Sequence, residues 1–345
     1  MKAIYKPKAA PGALYAKVDV PIIKEDEILI RIDHASICGS DMPIYNWTGW
    51  ATDRIKTPMV FGHELAGEVV EIGKRARGFA KGDFVSVESH IFCGFCYQCQ
   101  NDQRHVCSNC KIIGLDTPGG FSEYAAIPAR CAWKHTDNSL KDIASIMEPF
   151  GNAVYATLIE DVVAKTVLVS GCGPQGLFSI PIAKASGAKT VIALDTAPYR
   201  RKLAKKMGAD YAFNTADKNI ESKIRKLLKN RDGVDVVVEM SGNPIAIDFG
   251  LHMLGFGGRF TAFGPPSEKI KINYSADIVF KGLRVYGIVG REIFKSWYKM
   301  ESLLKSKAVD PRPVITHKFS FKDYKKAFNV MNSKDKKCGK VILVP

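Results

Sequence analysis

No stretch of 18 apolar residues occurs in this 345-residue chain, which argues against a membrane-spanning helix. The opening stretch MKAIYKPKAAPGALYAK lacks the apolar core of an export signal, so a cytoplasmic protein is expected. Internal repeats and low-complexity segments are also missing. Acidic side chains are the scarcer charge: 35 Asp and Glu stand against 50 Lys and Arg, a net charge of +15. Such an excess could serve a nucleic-acid-binding or regulatory protein. The chain nevertheless has no RGG tract and no basic stripe interleaved with aromatics. Its basic residues fall at helix-surface spacings, as in YRRKLAKKMGAD and SKIRKLLKNRDG. They read as a solvated face, with no nucleic-acid partner expected. The positive field can still draw in anionic cofactors.

What is present points to metal and nucleotide chemistry. Nine cysteines in a chain without an export signal suit metal or redox use better than disulfides. The length is too great for one ordinary core, so two domains are expected. Residues 1–152 carry short β-branched runs such as EILIRIDHASI, AGEVVEIG, GDFVSVE and FSEYAAI, punctuated by Gly, Pro and Asp. They predict a closed or folded-over sheet. From 153 to 294 strand-like runs (TVLVS, TVIALD, VDVVVEM, GGRFTAFG, LRVYGIV) alternate with helical ones, the rhythm of a doubly wound parallel sheet. Residues 295–345 are mixed again and are expected to return to the first domain.

VLVSGCGPQG places Gly171, Gly173 and Gly176 as G-x-G-x-x-G between a strand and a helix. Glycines there allow a tight turn, backbone approach to a pyrophosphate and close helix packing, with the phosphates on the helix N-terminus. Asp195 ends the next strand, 19 residues beyond Gly176. An acid in that place binds ribose hydroxyls and repels a 2′-phosphate, which favours NAD over NADP. Arg200 nearby could instead hold that phosphate, or cover the adenine or ribose.

CGFCYQCQNDQRHVC, within a lobe at about 90–110, spaces Cys93, Cys96, Cys99 and Cys107 as C-x2-C-x2-C-x7-C. Four thiolates so spaced can close a tetrahedron around zinc and leave no position for substrate. The short turns, and the absence of a following Cys-Pro, favour zinc over an iron–sulfur cluster. Cys110 is close enough to compete for a ligand position. Cys131, Cys172 and Cys338 read as ordinary small residues. A second metal group is suggested by Cys38, by His63 and Glu64 in FGHELAGEVV, and by Glu148 in IMEPFGNAV. One cysteine, one histidine and a later carboxylate would leave an open position for catalysis.

These features, in this order and over essentially the whole length, resemble the zinc-dependent medium-chain dehydrogenase/reductase family. The strings ICGSDMPIYNWTGW, PMVFGHELAGEVV, EPFGNAV, GREIFKSWYKM and PVITHKFS are similar to its threonine-oxidising branch. The resemblance implies an α/β chain: a GroES-like β-rich catalytic domain plus a Rossmann domain with a doubly wound parallel sheet for the cofactor. It implies NAD and two zinc ions per chain. The catalytic ion would sit on Cys38, His63 and, depending on state, Glu64 and Glu148. The structural ion would sit on Cys93, Cys96, Cys99 and Cys107. It also implies NAD contacts at the glycine turn, including Pro174 and Gln175, at Asp195 and Arg200, and at the loops near Phe263 and Tyr286. A homotetramer is implied as well.

The implied substrate is a small secondary alcohol: L-threonine, giving 2-amino-3-oxobutanoate, or alternatively a polyol, polyol-phosphate or vicinal diol. By the same resemblance Ser40 takes the alcohol proton, and Tyr45, Trp47 and His90 border the substrate. The family pattern Cys-Gly-Ser/Thr-Asp-x-His has Pro43 in place of its histidine here. A proline relays no proton, although it suits the first turn of a helix. Glu64, Glu148 or water would then carry the proton out, with water the expected route. Trp50 reads as a packing residue. Arg291 could meet a cofactor phosphate or a substrate carboxylate, or pair with Glu292.

Overall fold

The computed structural model describes residues 1–229 and 231–345, and its chain divides into two compact units. One comprises Met1–Pro149 with Ile315–Pro345, the other Phe150–Val314. Among the described residues no helix is long and apolar enough to cross a membrane.

The first unit is built on the strand Glu27–Ile37, which is buried along most of its length. β-branched and small residues dominate EILIRIDHASI, and such side chains fit a pleated surface packed on both faces. Glu64–Ile72 runs antiparallel along one side of it, with Ser36 opposite Glu64. Tyr124–Pro128 pairs with its first half and the C-terminal strand Lys340–Val344 with its last residues, Ile342 lying opposite Ser36. Phe84–Val87, Ala132–Lys134 and Ile315–Ser320 complete a seven-stranded sheet. A three-stranded sheet of Lys2–Lys6, Leu14–Lys17 and Met59–Val60 stands beside it. Ile28, Ile30, Phe61, Phe121 and Phe328 share one core.

The second unit has six parallel strands. Their order is Tyr211–Phe213, Thr190–Leu194, Thr166–Ser170, Val234–Glu239, Leu254–Ala262, Arg284–Gly287. Thr166–Ser170 is buried throughout, as expected of a central strand covered on both faces. The strand order reverses beside it, which puts the crevice for a ligand at its carboxyl end. Helices Pro174–Ala185, Pro198–Lys206, Ile220–Leu228 and Pro244–Met253 connect the strands.

The chain re-enters the first unit at Ile315, later than the change of pattern at residue 295 implies. The intervening helix Lys295–Lys305 buries Trp297, Met300 and Leu304 and is part of the second unit. Its mixed composition hid that amphipathic stripe.

Candidate active site

The strand Glu27–Ile37 ends just before Cys38, and Glu64–Ile72 begins just after His63, so antiparallel pairing brings these ends together. Cys38 Sγ, a His63 ring nitrogen and a Glu64 carboxylate oxygen all lie within 4.8 Å of one another. Gly62 makes the approach possible, because a Cβ there would fall 2.5 Å from the Phe121 ring, and its φ is +93°.

Helix Asp41–Asn46 follows Cys38 at once. Its fully buried Asp41 accepts the Cys38 N–H at 2.8 Å through Oδ2 and places Oδ1 3.5 Å from His63 Nδ1. That carboxylate therefore backs His63 and leaves Nε2 for the opposite side, where Ser40 Oγ lies 3.4 Å away. Burial would push the His63 imidazole down, but the charges of Asp41 and Cys38 overcome it and hold it well above its ordinary value. A pocket that draws positive charge onto a buried histidine is chemically suited to a metal cation. Pro43 is the third residue of this helix, where a missing N–H leaves no intrahelical bond unmade.

Glu64 is fully buried and ion-paired. Lys340 Nζ lies 2.5 Å from its carboxylate, and Ser36 Oγ donates to its Oε2. Burial pushes Glu64 up from the ordinary carboxylate range, against the pull of Lys340. Glu148 lies outside the group of three, in the first turn of helix Met147–Thr157, and accepts a hydrogen bond from Ser89 Oγ at 2.6 Å. His90, beside Ser89, places Nδ1 3.0 Å from the buried Glu88.

Cys93, Cys96, Cys99 and Cys107 converge, with Sγ–Sγ distances of 3.5 Å (Cys93–Cys107), 3.7 Å (Cys96–Cys107) and 4.0 Å (Cys93–Cys99). These exceed a disulfide bond by far and match the edge of a tetrahedron of Zn–S bonds, about 3.8 Å. Two N–H groups point at the sulfurs, from Cys93 to Cys107 at 3.3 Å and from Cys96 to Cys93 at 3.4 Å. Cys110 is not in the group.

In the second unit Gly171 has φ +92°, and a Cβ at Gly176 would sit 1.9 Å from the Gly171 carbonyl, so neither tolerates a side chain. Nothing lies within 4 Å of a Cβ built at Gly173. The turn and the N-terminus of helix Pro174–Ala185 thus leave open space where an anion would meet backbone N–H groups. Asp195 Oδ2 accepts the Cys172 N–H at 2.9 Å, and Oδ1 accepts the Ala197 N–H at 2.7 Å. The acid is thereby fixed against the glycine turn.

Residues 24–137 match the family model of the alcohol dehydrogenase GroES-like domain, and residues 174–306 that of the zinc-binding dehydrogenase. The L-threonine 3-dehydrogenase of Bacillus velezensis is 45% identical over 100% of this chain and 99% of its own. The chain belongs to the zinc-binding alcohol dehydrogenases. Solved relatives of this dehydrogenase share its fold across its whole length. A short chain alcohol dehydrogenase from Escherichia coli CFT073, complexed with NADH, matches with a TM-score of 0.90 at 27% identity, covering 100% of this chain and 99% of that one. Galactitol-1-phosphate dehydrogenase from Escherichia coli matches with a TM-score of 0.90 at 25% identity and full coverage of both.

Other residues singled out in the sequence are placed less simply. In the dehydrogenase Tyr45 stacks on Phe328, with ring centroids 4.1 Å apart, and so packs the core. Trp47 takes φ 56° at the end of its helix, with Lys6 Nζ 5.0 Å from its ring centroid. Tyr286 donates to Glu160 at 2.7 Å, and Phe263 follows strand Leu254–Ala262. Arg200 lies on helix Pro198–Lys206. Arg291 is fully buried and donates to Asn152 Oδ1 at 2.7 Å. Sequence reasoning missed Lys340, Ser36, Asp41 and Ser89. Asp41 was within reach, being the only acid adjoining the metal cysteine. Lys340 was not, since it arrives from 276 residues away.

Proposed function

We propose that the chain oxidises L-threonine at its secondary hydroxyl, giving 2-amino-3-oxobutanoate with transfer of hydride to NAD. The observation that carries this reading is the 45% identity to an L-threonine 3-dehydrogenase over the whole chain, joined to the convergence of Cys38, His63 and Glu64. A catalytic zinc would be held by Cys38 and His63 with Glu64 and Glu148, and a structural zinc by the four cysteines of the lobe. Bound there, the catalytic ion supplies Lewis acidity that lowers the pKa of the substrate hydroxyl.

The chain's own residues do the remainder. Asp41 orients His63 and the Cys38 backbone. Ser40 accepts the alcohol proton and hands it on, and water carries it to solvent because Pro43 has nothing to relay. Glu64, already held by Lys340 and Ser36, is the exchangeable carboxylate. The turn Gly171–Gly176 with Pro174 and Gln175 cradles the pyrophosphate, and Asp195 takes the ribose hydroxyls and turns away a 2′-phosphate. Arg200, Phe263 and Tyr286 lie along the remainder of the nucleotide; His90, Trp47 and Arg291 belong to the substrate side, while Tyr45 supports it from the core by its stacking on Phe328. A cytoplasmic homotetramer is part of this reading; the exposed Phe280, Val285 and Val289 offer apolar area to a second subunit.

Pro43 and the likeness to galactitol-1-phosphate dehydrogenase favour a second reading, in which the substrate is a polyol, polyol-phosphate or vicinal diol. A threonine site must hold an ammonium and a carboxylate, whereas a polyol site needs neutral hydrogen-bonding groups. The test is NADH formation by zinc-loaded protein on L-threonine, D-threonine, sorbitol, 2,3-butanediol and a hexitol phosphate. Preference for L-threonine is expected. Preference for a polyol would replace the first reading with the second.

A further inference from the structure

We propose that His34 is a positioning residue for Glu148, acting through the 3-10 turn Lys141–Ile146 that precedes it; this rests on the metal-centre reading above. His34 and Ser36 alternate along the strand Glu27–Ile37, so both project from the same face, and both are buried. The turn Lys141–Ile146 runs directly into helix Met147–Thr157, whose second residue is Glu148. Whatever holds residues 144 and 145 therefore sets where Glu148 begins.

Two side chains of the sheet make that hold. The Ser145 N–H donates to His34 Nε2 at 3.2 Å. An accepting Nε2 leaves the ring proton on Nδ1, which lies 2.7 Å from Asp33 Oδ2 and donates to it. Asp33 thus fixes the tautomer that Ser145 requires. Ser86 Oγ donates to the Ala144 carbonyl at 2.7 Å. Ser36 adds little: its one proton goes to Glu64, and the Ser145 carbonyl is 3.5 Å away. A buried imidazole between a carboxylate and a main-chain amide does what no apolar residue at position 34 could do, because only an acceptor satisfies that N–H.

The test compares His34→Phe, which keeps a ring without an acceptor, with His34→Gln, whose amide oxygen can receive the Ser145 N–H. In His34→Phe, kcat for alcohol oxidation is expected to fall about tenfold, the rate equivalent of one lost hydrogen bond, with KM for NAD unchanged. Amide hydrogen exchange over residues 144–149 is expected to rise in the same variant. His34→Gln should recover most of both. In cobalt(II)-substituted protein, His34→Phe and Glu148→Gln should shift the visible absorption band in the same direction. A His34→Phe protein with wild-type kcat, exchange and cobalt band would overturn the proposal, as would a His34→Gln protein no better than His34→Phe. A Glu148→Gln enzyme as active as the wild type would instead overturn the metal-centre reading, and this proposal with it, whatever the exchange at Ser145 shows.

Discussion

Lys340 Nζ lies 2.5 Å from the carboxylate of Glu64, and the two side chains are 3% and 0% exposed. A buried pair of this kind owes its existence to both partners, since either alone is an uncompensated charge. Lys340→Met is expected to lower stability by about 3–5 kcal/mol, read as the midpoint of denaturant unfolding. A change below about 1 kcal/mol would mean that Glu64 is neutral or hydrated there.

Ser40 stands 3.4 Å from His63 Nε2, whereas Ser36, on the other side of Cys38 in the sequence, gives its proton to Glu64. Ser40→Ala is expected to reduce kcat by at least about a hundredfold, the range of a lost proton-transfer group. Pro43→His should leave activity in place and move the acid limb of the pH–rate profile. A fully active Ser40→Ala enzyme would remove serine from the proton path.

The four sulfurs of the lobe predict a metal count as well as a fold. Two zinc ions per chain are expected by elemental analysis, one for each group of ligands. Cys96→Ser should lose one of them and lower the melting temperature, because two of the few buried residues of the lobe, Cys99 and Cys107, are themselves ligands. Retention of both ions in that variant would contradict the assignment.

A Cβ at Gly176 would collide with the Gly171 carbonyl at 1.9 Å. Gly176→Ala is therefore expected to abolish NADH binding, measured by nicotinamide fluorescence. Zinc content should stay unchanged, because both ligand groups lie in the other unit.

Glu160 accepts hydrogen bonds from Arg284 at 2.8 Å and from Tyr286 at 2.7 Å. Burial alone would raise its carboxyl, yet these donors win and hold it below the ordinary value of 4.5. A depressed folded value means that the unfolded chain takes up the proton first as pH falls. The stabilisation is therefore complete above 4.5 and disappears as pH drops through the lower folded value. Glu160→Gln should lower the melting temperature at pH 7, and the gap to wild type should close in acid. A gap that persists in acid would assign the effect to packing.

Much of the site was legible because its parts are local. The cysteine spacing from 93 to 107, the Gly171–Gly176 turn and the run TVLVS are short-range patterns, and the strands at 27–37 and 166–170 have the bounds that their β-branched runs suggest. Tyr45 shows the opposite: its position after the metal cysteine suggested substrate, whereas the fold stacks it on Phe328, from the far end of the chain. Arg291 could be read in the sequence as a contact for a cofactor phosphate or a substrate carboxylate, or as a partner for Glu292; the fold buries it, with a hydrogen bond to Asn152 and its side chain over Gly151, contacts that the sequence did not suggest. Aromatic and basic side chains are long and take whichever partner the fold brings, so their neighbours in sequence say little about their neighbours in space.

Local chemistry in the sequence by itself determined which residues could bind metal and nucleotide, since ligand type, spacing and glycine freedom are properties of short segments. Only the tertiary structure decided how those groups are held. Strand pairing sets Ser36 opposite Glu64 and Ile342 opposite Ser36, and so delivers Lys340 to the buried carboxylate. The same strand presents His34 to Ser145, 111 residues away. Register between distant strands depends on the burial of whole faces, which no short stretch of sequence contains.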